Sequence, residues 1–220
     1  MNQIFDIFII GGGINGAGIA RDAVGRGLKV FLAEKNKFGS ATSSWSTKLI
    51  HGGLRYLENY EFKLVRESLK EREIITNIAP SITRPIPFII PHTKKLRSKL
   101  LIRLGLFLYD NLGGKTKVPK SSKINLRKKY SHILKSHFSV GFQYYDIQVD
   151  DKKLVEMNID DAKKMGASIL ENTKVLNANR VEEGWDINLD NGEIIKSKIL
   201  INAAGPWINE TVNNVIKINT

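Results

Sequence analysis

The sequence predicts an α/β chain interrupted by an α+β region. Ile4 to Ile10 is a short apolar run that ends at glycines, the pattern of a strand buried on both faces of a parallel sheet. It leads into Gly11-Gly12-Gly13-Ile14-Asn15-Gly16-Ala17-Gly18, then helical spacing through Ala20 and Ala23, then a second apolar run, Leu28 to Ala33, closed by Glu34. Towards the other end Trp185, Ile187 and Leu189 alternate as a half-buried strand does, Asn191-Gly192 predicts a type I′ turn, and Ile194 to Asn202 returns as a strand. A βαβ unit, then helices, then strands is the order expected of an α/β fold with an insertion.

The intervening elements are set by local chemistry. Phe38 to Gly53 is rich in Ser, Thr and Gly and reads as loop and helix start. Leu54 to Ile78 carries Leu57, Leu64, Leu69 and Ile74 among charged residues, predicting a helix that stops before Pro80. Three prolines, Pro85, Pro87 and Pro91, surround Phe88 to Ile90, so that strand belongs at an edge or a bend. Leu96, Leu100, Leu104, Phe107 and Leu108 recur at helical spacing until Gly113-Gly114. A further helix comes after Asp150-Asp151 and runs to about Met165, before Gly166. No internal repeat or low-complexity tract interrupts this order.

Composition sets outer limits. The 220 residues, 42% hydrophobic and 25% charged, describe a chain able to bury a core and exclude disorder as its main state. The absence of cysteine excludes a disulfide framework, a thiolate metal site, an iron–sulfur cluster and a cysteine nucleophile. The net charge of +12 is local. Lys94, Lys95, Arg97, Lys99, Arg103, Lys115, Lys117, Lys120, Lys123, Arg127, Lys128, Lys129 and Lys135 face one acid, Asp110, within that span, and the rest of the chain balances. A protein that coats nucleic acid generally is therefore not indicated. Met1 to Ile10 lacks a basic n-region, and no stretch approaches the ~18 apolar residues of a membrane span, so a cytosolic chain is expected.

The glycines at 11, 13 and 16 sit where a dinucleotide would need them. They come directly after a strand and open a helix, so the chain can turn tightly and approach a pyrophosphate, which helix N-terminal N–H groups favour. Glu34 ends the second strand seventeen residues after Gly16, placed to accept from ribose hydroxyls, and it disfavours a 2′-phosphate. A Rossmann-like unit results, and the fingerprint alone serves NAD and FAD equally. The plainer alternative is a structural glycine turn with a solvated Glu34.

The segment beyond Glu34 separates these. The run Ala41-Thr42-Ser43-Ser44-Trp45-Ser46-Thr47-Lys48-Leu49-Ile50-His51-Gly52-Gly53-Leu54-Arg55-Tyr56-Leu57-Glu58 resembles the FAD-dependent, quinone-linked glycerol-3-phosphate dehydrogenases, within the glycine oxidase and D-amino-acid oxidase superfamily. Leu106-Phe107-x-Tyr109-Asp110, Val149-Asp150-Asp151-x-x-Leu154 and Asn202-Ala203-Ala204-Gly205-Pro206-Trp207 extend the resemblance over nearly the whole chain. Two positions depart from it: Ala204, where threonine is common, and Trp45, where a small or polar residue is usual and an indole would crowd the flavin loop.

The resemblance implies oxidation of sn-glycerol 3-phosphate to dihydroxyacetone phosphate, with hydride passing to flavin N5 and electrons to a membrane quinone. It implies FAD held by Gly11, Gly12, Gly13, Ile14, Asn15, Gly16, Glu34, Lys35, Thr42, Ser43, Ser44, Lys48, Leu49, His51, Gly52, Val175, Ala203 and Gly205, with no metal. Arg55 and Tyr56 would face the substrate phosphate, a guanidinium and a hydroxyl being the donors a phosphomonoester wants. Arg55 can equally be a surface cation pairing Glu58 or Asn59, and His51 fits a flavin loop better than a general base. His92, His132 and His137 read as solvated.

The fold expected is thus a Rossmann-like FAD-binding domain, discontinuous over 1–80 and 140–220, with an inserted α+β substrate- and membrane-facing region over 81–139. The C-terminal part of the family fold is expected to lie beyond Thr220, with the general base and the rest of the flavin site. On that basis the chain would bind FAD poorly and not turn over. Residues 94–135 are open to three readings: an anionic membrane surface, an apolar stripe packed on the protein's own core, and nucleic acid, which the lack of interleaved aromatics argues against. The resemblance favours the first, as a peripheral protein on the inner face of the cytoplasmic membrane, with a second copy of the chain as a further candidate partner. Two rival functions are an amine or amino-acid oxidase of the same superfamily and a non-catalytic truncated form.

Overall fold

A computed structural model describes residues 3–93, 95–135 and 137–216; Lys94, the first of the basic run, and Thr220 lie outside the described residues. The chain divides into two compact units, 1–47 with 150–220, and 48–149.

The first unit begins with β1 (Ile4–Ile10), α1 (Ile14–Gly25) and β2 (Val30–Ala33), the expected βαβ, with β2 starting two residues later than the apolar run. In the second unit come β3 (Leu49–Ile50), α2 (Phe62–Ile78), β4 (Thr83–Pro91), α3 (Lys99–Leu112), β5 (Ser122–Asn125), α4 (Leu126–Tyr130) and β6 (Val140–Val149). The first unit resumes with α5 (Asp151–Lys164), β7 (Ser168–Leu170), β8 (Val175–Val181), β9 (Gly184–Leu189), β10 (Ile194–Asn202) and α6 (Ile208–Thr211).

Six strands of the first unit form one sheet in the order β7-β2-β1-β10-β9-β8. β7, β2, β1 and β10 run parallel, and β9 and β8 continue the sheet antiparallel. One face packs Ile7, Ile9, Val30 and Leu32 on Ala17 and Ala20 of α1 and on Val155, Ile159 and Ala162 of α5. Small residues on α1 allow this close approach. The other face is aromatic, with Phe5, Phe8, Phe31 and Trp185 around Ile187 and Leu189; Phe8 stacks on Phe31 at 5.2 Å between ring centroids. Asp150 caps α5, its carboxylate accepting the Lys153 N–H at 3.0 Å.

The turn from β9 to β10 differs from the expected type I′. That turn needs positive φ at both central residues. Among the described residues the only non-glycines with positive φ are Lys48, Tyr60 and Asn172, so Asn191 is not one of them, while Gly192 has φ 88°. Gly192 N–H donates to Leu189 O and Leu189 N–H to Glu193 O, closing a three-residue loop whose last residue is left-handed. The Asn191 side chain accepts the Glu193 N–H at 3.0 Å, a local bond that a non-left-handed Asn makes readily.

In the second unit β6 is the hub. β4 pairs along one edge of it, β3 and β5 along the other, all antiparallel. β4 is longer than Phe88 to Ile90 and is an edge strand, as the prolines require. His92 N–H donates to Val140 O at 2.9 Å, so even-numbered positions of β4 point their amides at β6. Pro85, Pro87 and Pro91 are all odd, and their missing donors fall on the open edge. Residues 48–80, expected with the first unit, belong here because β3 hydrogen-bonds β6 and α2 packs Val65 and Leu69 against Tyr109 of α3.

The helix expected from Leu54 begins at Phe62. Leu54–Asn59 is a 3-10 segment, ended by Tyr60 with φ 60°. Its leucines, Leu54 and Leu57, are three apart, the period of that helix, and both pack on the Val65–Leu69–Tyr109 cluster. α3 carries the predicted stripe from Leu100 onward, Leu96 lying before it, and turns Leu100, Leu104 and Phe107 outward while Leu108 is half-buried. Leu106 and Tyr109 are buried, whereas Leu100 is 80% and Phe107 56% exposed. The reading in which the stripe packs on the protein's own core is therefore not what the structure has. No helix among the described residues is long and apolar enough to cross a membrane.

Candidate functional site: a nucleotide cleft on the first unit

A cleft of about 320 Å³ opens at the ends of β1, β2 and β10. This is where an α/β sheet of this kind receives ligands, outside the carboxyl ends of its strands. It brings together Gly11, Gly13, Glu34, Lys35, Thr42, Ser43, Val175, Ala203 and Gly205 of the residues named from sequence.

The glycines have steric reasons to be there. Gly11 has φ +107°, and a Cβ on it would lie 2.6 Å from Ala203 O, so the first turn needs glycine on both counts. A Cβ at Gly16 would overlap the carbonyl oxygen of Gly11, and α1 could not then start so close under the loop. Gly13 precedes α1 without capping it by a side chain. The Ile14 N–H is instead taken by Ser43 Oγ at 3.0 Å, a hydroxyl from the 3-10 turn Thr42–Ser44. Ser44 hydrogen-bonds Gly39 O through its own hydroxyl. Gly12, Ile14, Asn15, Gly16 and Ser44 do not line the cleft.

Glu34 is half-buried and already holds backbone. Oε2 accepts the Gly12 N–H at 2.7 Å and Oε1 the Asn36 N–H at 2.8 Å. A carboxylate offers about four acceptor positions, so two remain for hydroxyl donors in the cleft. Sequence reasoning missed one wall of the site. Trp207 at the end of the 3-10 turn before α6, Thr211 of α6, and Asn214 and Val215 of the π-helical turn after it line the cleft. Their spacing of four, three and one is one helical face, a signal available in the sequence immediately after the Gly205-Pro206-Trp207 run. Lys35 places its ammonium 5.0 Å from the Trp207 ring centroid, a cation–π contact at the rim. Trp45, expected to crowd the loop, is 84% exposed.

Lys48, Leu49, His51, Gly52, Arg55 and Tyr56 fall in the second unit. Lys48 has φ 55°, a left-handed conformation uncommon for a non-glycine. Gly52 and Gly53 are buried, and His51, Arg55 and Tyr56 are exposed. Among the described residues no cluster of His, Asp and Glu is arranged to hold a metal ion.

Tight glycines opening directly into a twelve-residue helix, a half-buried carboxylate and a cleft of this size define a dinucleotide-binding α/β protein, and they fit the adenosine diphosphate portion of FAD. The chain belongs to the FAD dependent oxidoreductase family, whose sequence profile matches residues 6–219. It is 50% identical over 217 residues to the D-erythritol 1-phosphate dehydrogenase of Brucella abortus (strain 2308), covering 96% of this chain and 43% of that one. It is 46% identical over 222 residues to the glycerol-3-phosphate dehydrogenase of Pseudomonas tolaasii, covering 99% and 43%. The solved structure of the Bacillus halodurans glycerol-3-phosphate dehydrogenase complexed with FAD superposes with a TM-score of 0.72 at 28% identity, over 96% of this chain and 36% of that one. The chain thus spans about two fifths of the length of the curated relatives it matches.

Proposed function

We propose that the chain carries the cofactor-binding part of an FAD-dependent dehydrogenase that oxidises sn-glycerol 3-phosphate to dihydroxyacetone phosphate and passes electrons to a membrane quinone. The observation that carries this reading is the nucleotide cleft at the Gly11–Gly16 loop, in a chain 46% identical to a glycerol-3-phosphate dehydrogenase. Bound FAD supplies the acceptor for the hydride equivalent that leaves C2 of the alcohol. The protein's part is binding and orientation. The amides at the start of α1 face the pyrophosphate, Glu34 accepts from the ribose, and the Val175 backbone meets the adenine. By the family resemblance, Ser43, Ser44, Lys48 and the Leu49–Gly53 backbone would contact the rest of the cofactor. Arg55 and Tyr56 bind the substrate phosphate. A second substrate, D-erythritol 1-phosphate, is favoured by the 50% identity to the Brucella enzyme; both are phosphorylated polyols, and one phosphate site serves either.

The basic region docks on an anionic membrane surface at the inner face of the cytoplasmic membrane. The exposed stripe of Leu100, Leu104 and Phe107 on α3, with Lys95 and Lys99 beside it, supports this. Each basic residue near such a surface adds ~1 kcal/mol.

The deciding experiment titrates the purified chain with FAD and with ADP, then adds sn-glycerol 3-phosphate or D-erythritol 1-phosphate without oxygen. Weak FAD binding that ADP displaces, with no bleaching by either polyol phosphate, is the outcome expected of this chain by itself; bleaching by a polyol phosphate but not by glycine or proline would overturn the expectation of no turnover and establish the substrate class directly. Bleaching by an amino acid instead would replace the reading with an amine oxidation.

A further inference from the structure

Three of the polar side chains buried in the second unit meet in one cluster, and the proposed function uses none of the three. Arg72, on the core face of α2 with Val65 and Leu69, is 4% exposed, Asp146 in β6 is 4% and Tyr109 on α3 is 2%. Arg72 Nη1 donates to Asp146 Oδ1 at 2.9 Å, and the Tyr109 hydroxyl donates to the same oxygen at 2.8 Å. Arg72 Nη2 reaches Glu73 at 3.2 Å, while its buried Nε has no partner among the described residues. Desolvating an ion pair commonly costs more than the attraction returns, and apolar replacements are often more stable. Stability alone is a poor account of this cluster.

What the cluster holds is backbone. With its proton committed to Asp146, the Tyr109 oxygen turns a lone pair outward, and the Gly52 N–H donates to it at 2.7 Å. Burial, and then the neighbouring Asp146 charge, push the phenol well above its ordinary range, so that proton stays in place. The next amide, Gly53 N–H, donates to His51 Nδ1 at 3.1 Å. In the neutral ring this leaves the proton on Nε2. The turn is closely packed where these ties are made: a Cβ at Gly52 would overlap Leu69 Cδ2 and lie 2.9 Å from Tyr109 Cε2, and Gly53 is left-handed at φ +69°.

We propose that Tyr109, held by the Asp146–Arg72 pair, is a positioning residue for the His51-Gly52-Gly53 turn and through it sets the orientation and tautomer of the His51 imidazole. Its bearing on catalysis rests on the reading above, in which this turn borders the flavin. The motif Leu106-Phe107-x-Tyr109-Asp110 thereby acquires a role, because it delivers a phenol to the underside of a glycine turn fifty-seven residues earlier in sequence.

The test compares the isotope-labelled chain with Tyr109→Phe, following amide exchange at Gly52 against Ile147 in β6 and the ring-nitrogen shifts of His51. Gly52 exchange should accelerate about fivefold to tenfold relative to Ile147, the loss of one hydrogen bond, and the His51 shifts should move toward a mixture of tautomers. Unchanged Gly52 protection with unchanged His51 shifts would overturn the proposal. The double variant Arg72→Met/Asp146→Leu removes both charges together and covers the case in which a single variant fails to fold. Retained or raised thermal stability with faster Gly52 exchange supports positioning; full Gly52 protection in that variant contradicts it. Flavin affinity of Tyr109→Phe separates the two readings, since faster exchange at undiminished affinity keeps the positioning role and removes the turn from the flavin site.

Discussion

Gly16 has no room for a methyl group, because the added carbon would overlap the Gly11 carbonyl oxygen within the loop that faces the cleft. Gly16→Ala must therefore push α1 away from the loop, at a cost of about 1–3 kcal/mol for overpacking, and ADP affinity measured by calorimetry should fall at least about tenfold, or ~1.4 kcal/mol. Glu34 is tested differently. Glu34→Gln keeps one acceptor oxygen and loses the other, so one of the Gly12 and Asn36 amides is left short and stability should fall by about 1 kcal/mol. ADP binding should weaken in the same variant; equal ADP affinity in calorimetry would remove Glu34 from the ribose site and leave it as a brace for the loop. Both residues were singled out in the sequence as candidates because a glycine at fixed spacing and an acid after a strand are what a dinucleotide turn needs. Arg72 was not. It occupies the core face of α2 at the spacing of Val65 and Leu69, yet a charged residue in a charged helix gives no sign that its partner waits in β6, far along the chain.

At the scale of elements, α3 shows what periodicity can and cannot say. The stripe Leu100, Leu104, Phe107 is a correct helical face, but Leu106 and Tyr109 on another face are the ones buried. Two apolar faces compete on this helix, and only the neighbouring α2 decides which is covered. The exposed face gives a clean prediction. Leu104→Glu with Phe107→Glu should change the urea midpoint by no more than about 0.5 kcal/mol equivalent, as for surface positions generally, while abolishing co-sedimentation with anionic vesicles. High salt should weaken the wild-type association as well, through screening of the lysines. Undiminished vesicle binding by the double variant would discard α3 as the docking element. The β9–β10 turn and the 3-10 segment before α2 make the same point: residue types announce a turn or a helical period, and the loop's hydrogen bonds in the first case and the packing of Leu54 and Leu57 in the second select which member of the class forms.

Across the whole chain, two carboxylates predict opposite responses to pH in the two units. Asp6 in β1 accepts from Lys198 Nζ of β10 at 2.7 Å and from the Lys29 N–H at 2.9 Å, and these bonds, the Lys198 one foremost, hold its carboxyl below the usual range. A lowered folded value means the contribution is present above about pH 4, the ordinary aspartate value, and is lost as pH falls through the folded value. Asp146 is the reverse. Burial raises its carboxyl despite the Tyr109 and Arg72 hydrogen bonds, so the folded state holds a proton that the unfolded state releases, and its contribution declines as pH rises from about 4 through the raised value. Segment-resolved hydrogen exchange should therefore show β1 losing protection with acid, in part abolished by Asp6→Asn, while the slope around β6 has the opposite sign. Parallel slopes in both units would contradict this assignment.

Local pattern was enough to establish the βαβ unit, the tight glycine loop and the acid after β2, since each depends on neighbours within a few residues or on the backbone freedom of glycine. Packing between distant segments settled the rest: residues 48–80 join the second unit, the α3 stripe faces outward, Trp207, Thr211, Asn214 and Val215 wall the cleft, and Tyr109 reaches Gly52. There burial and hydrogen-bond geometry choose among partners that a linear reading of the chain leaves equivalent.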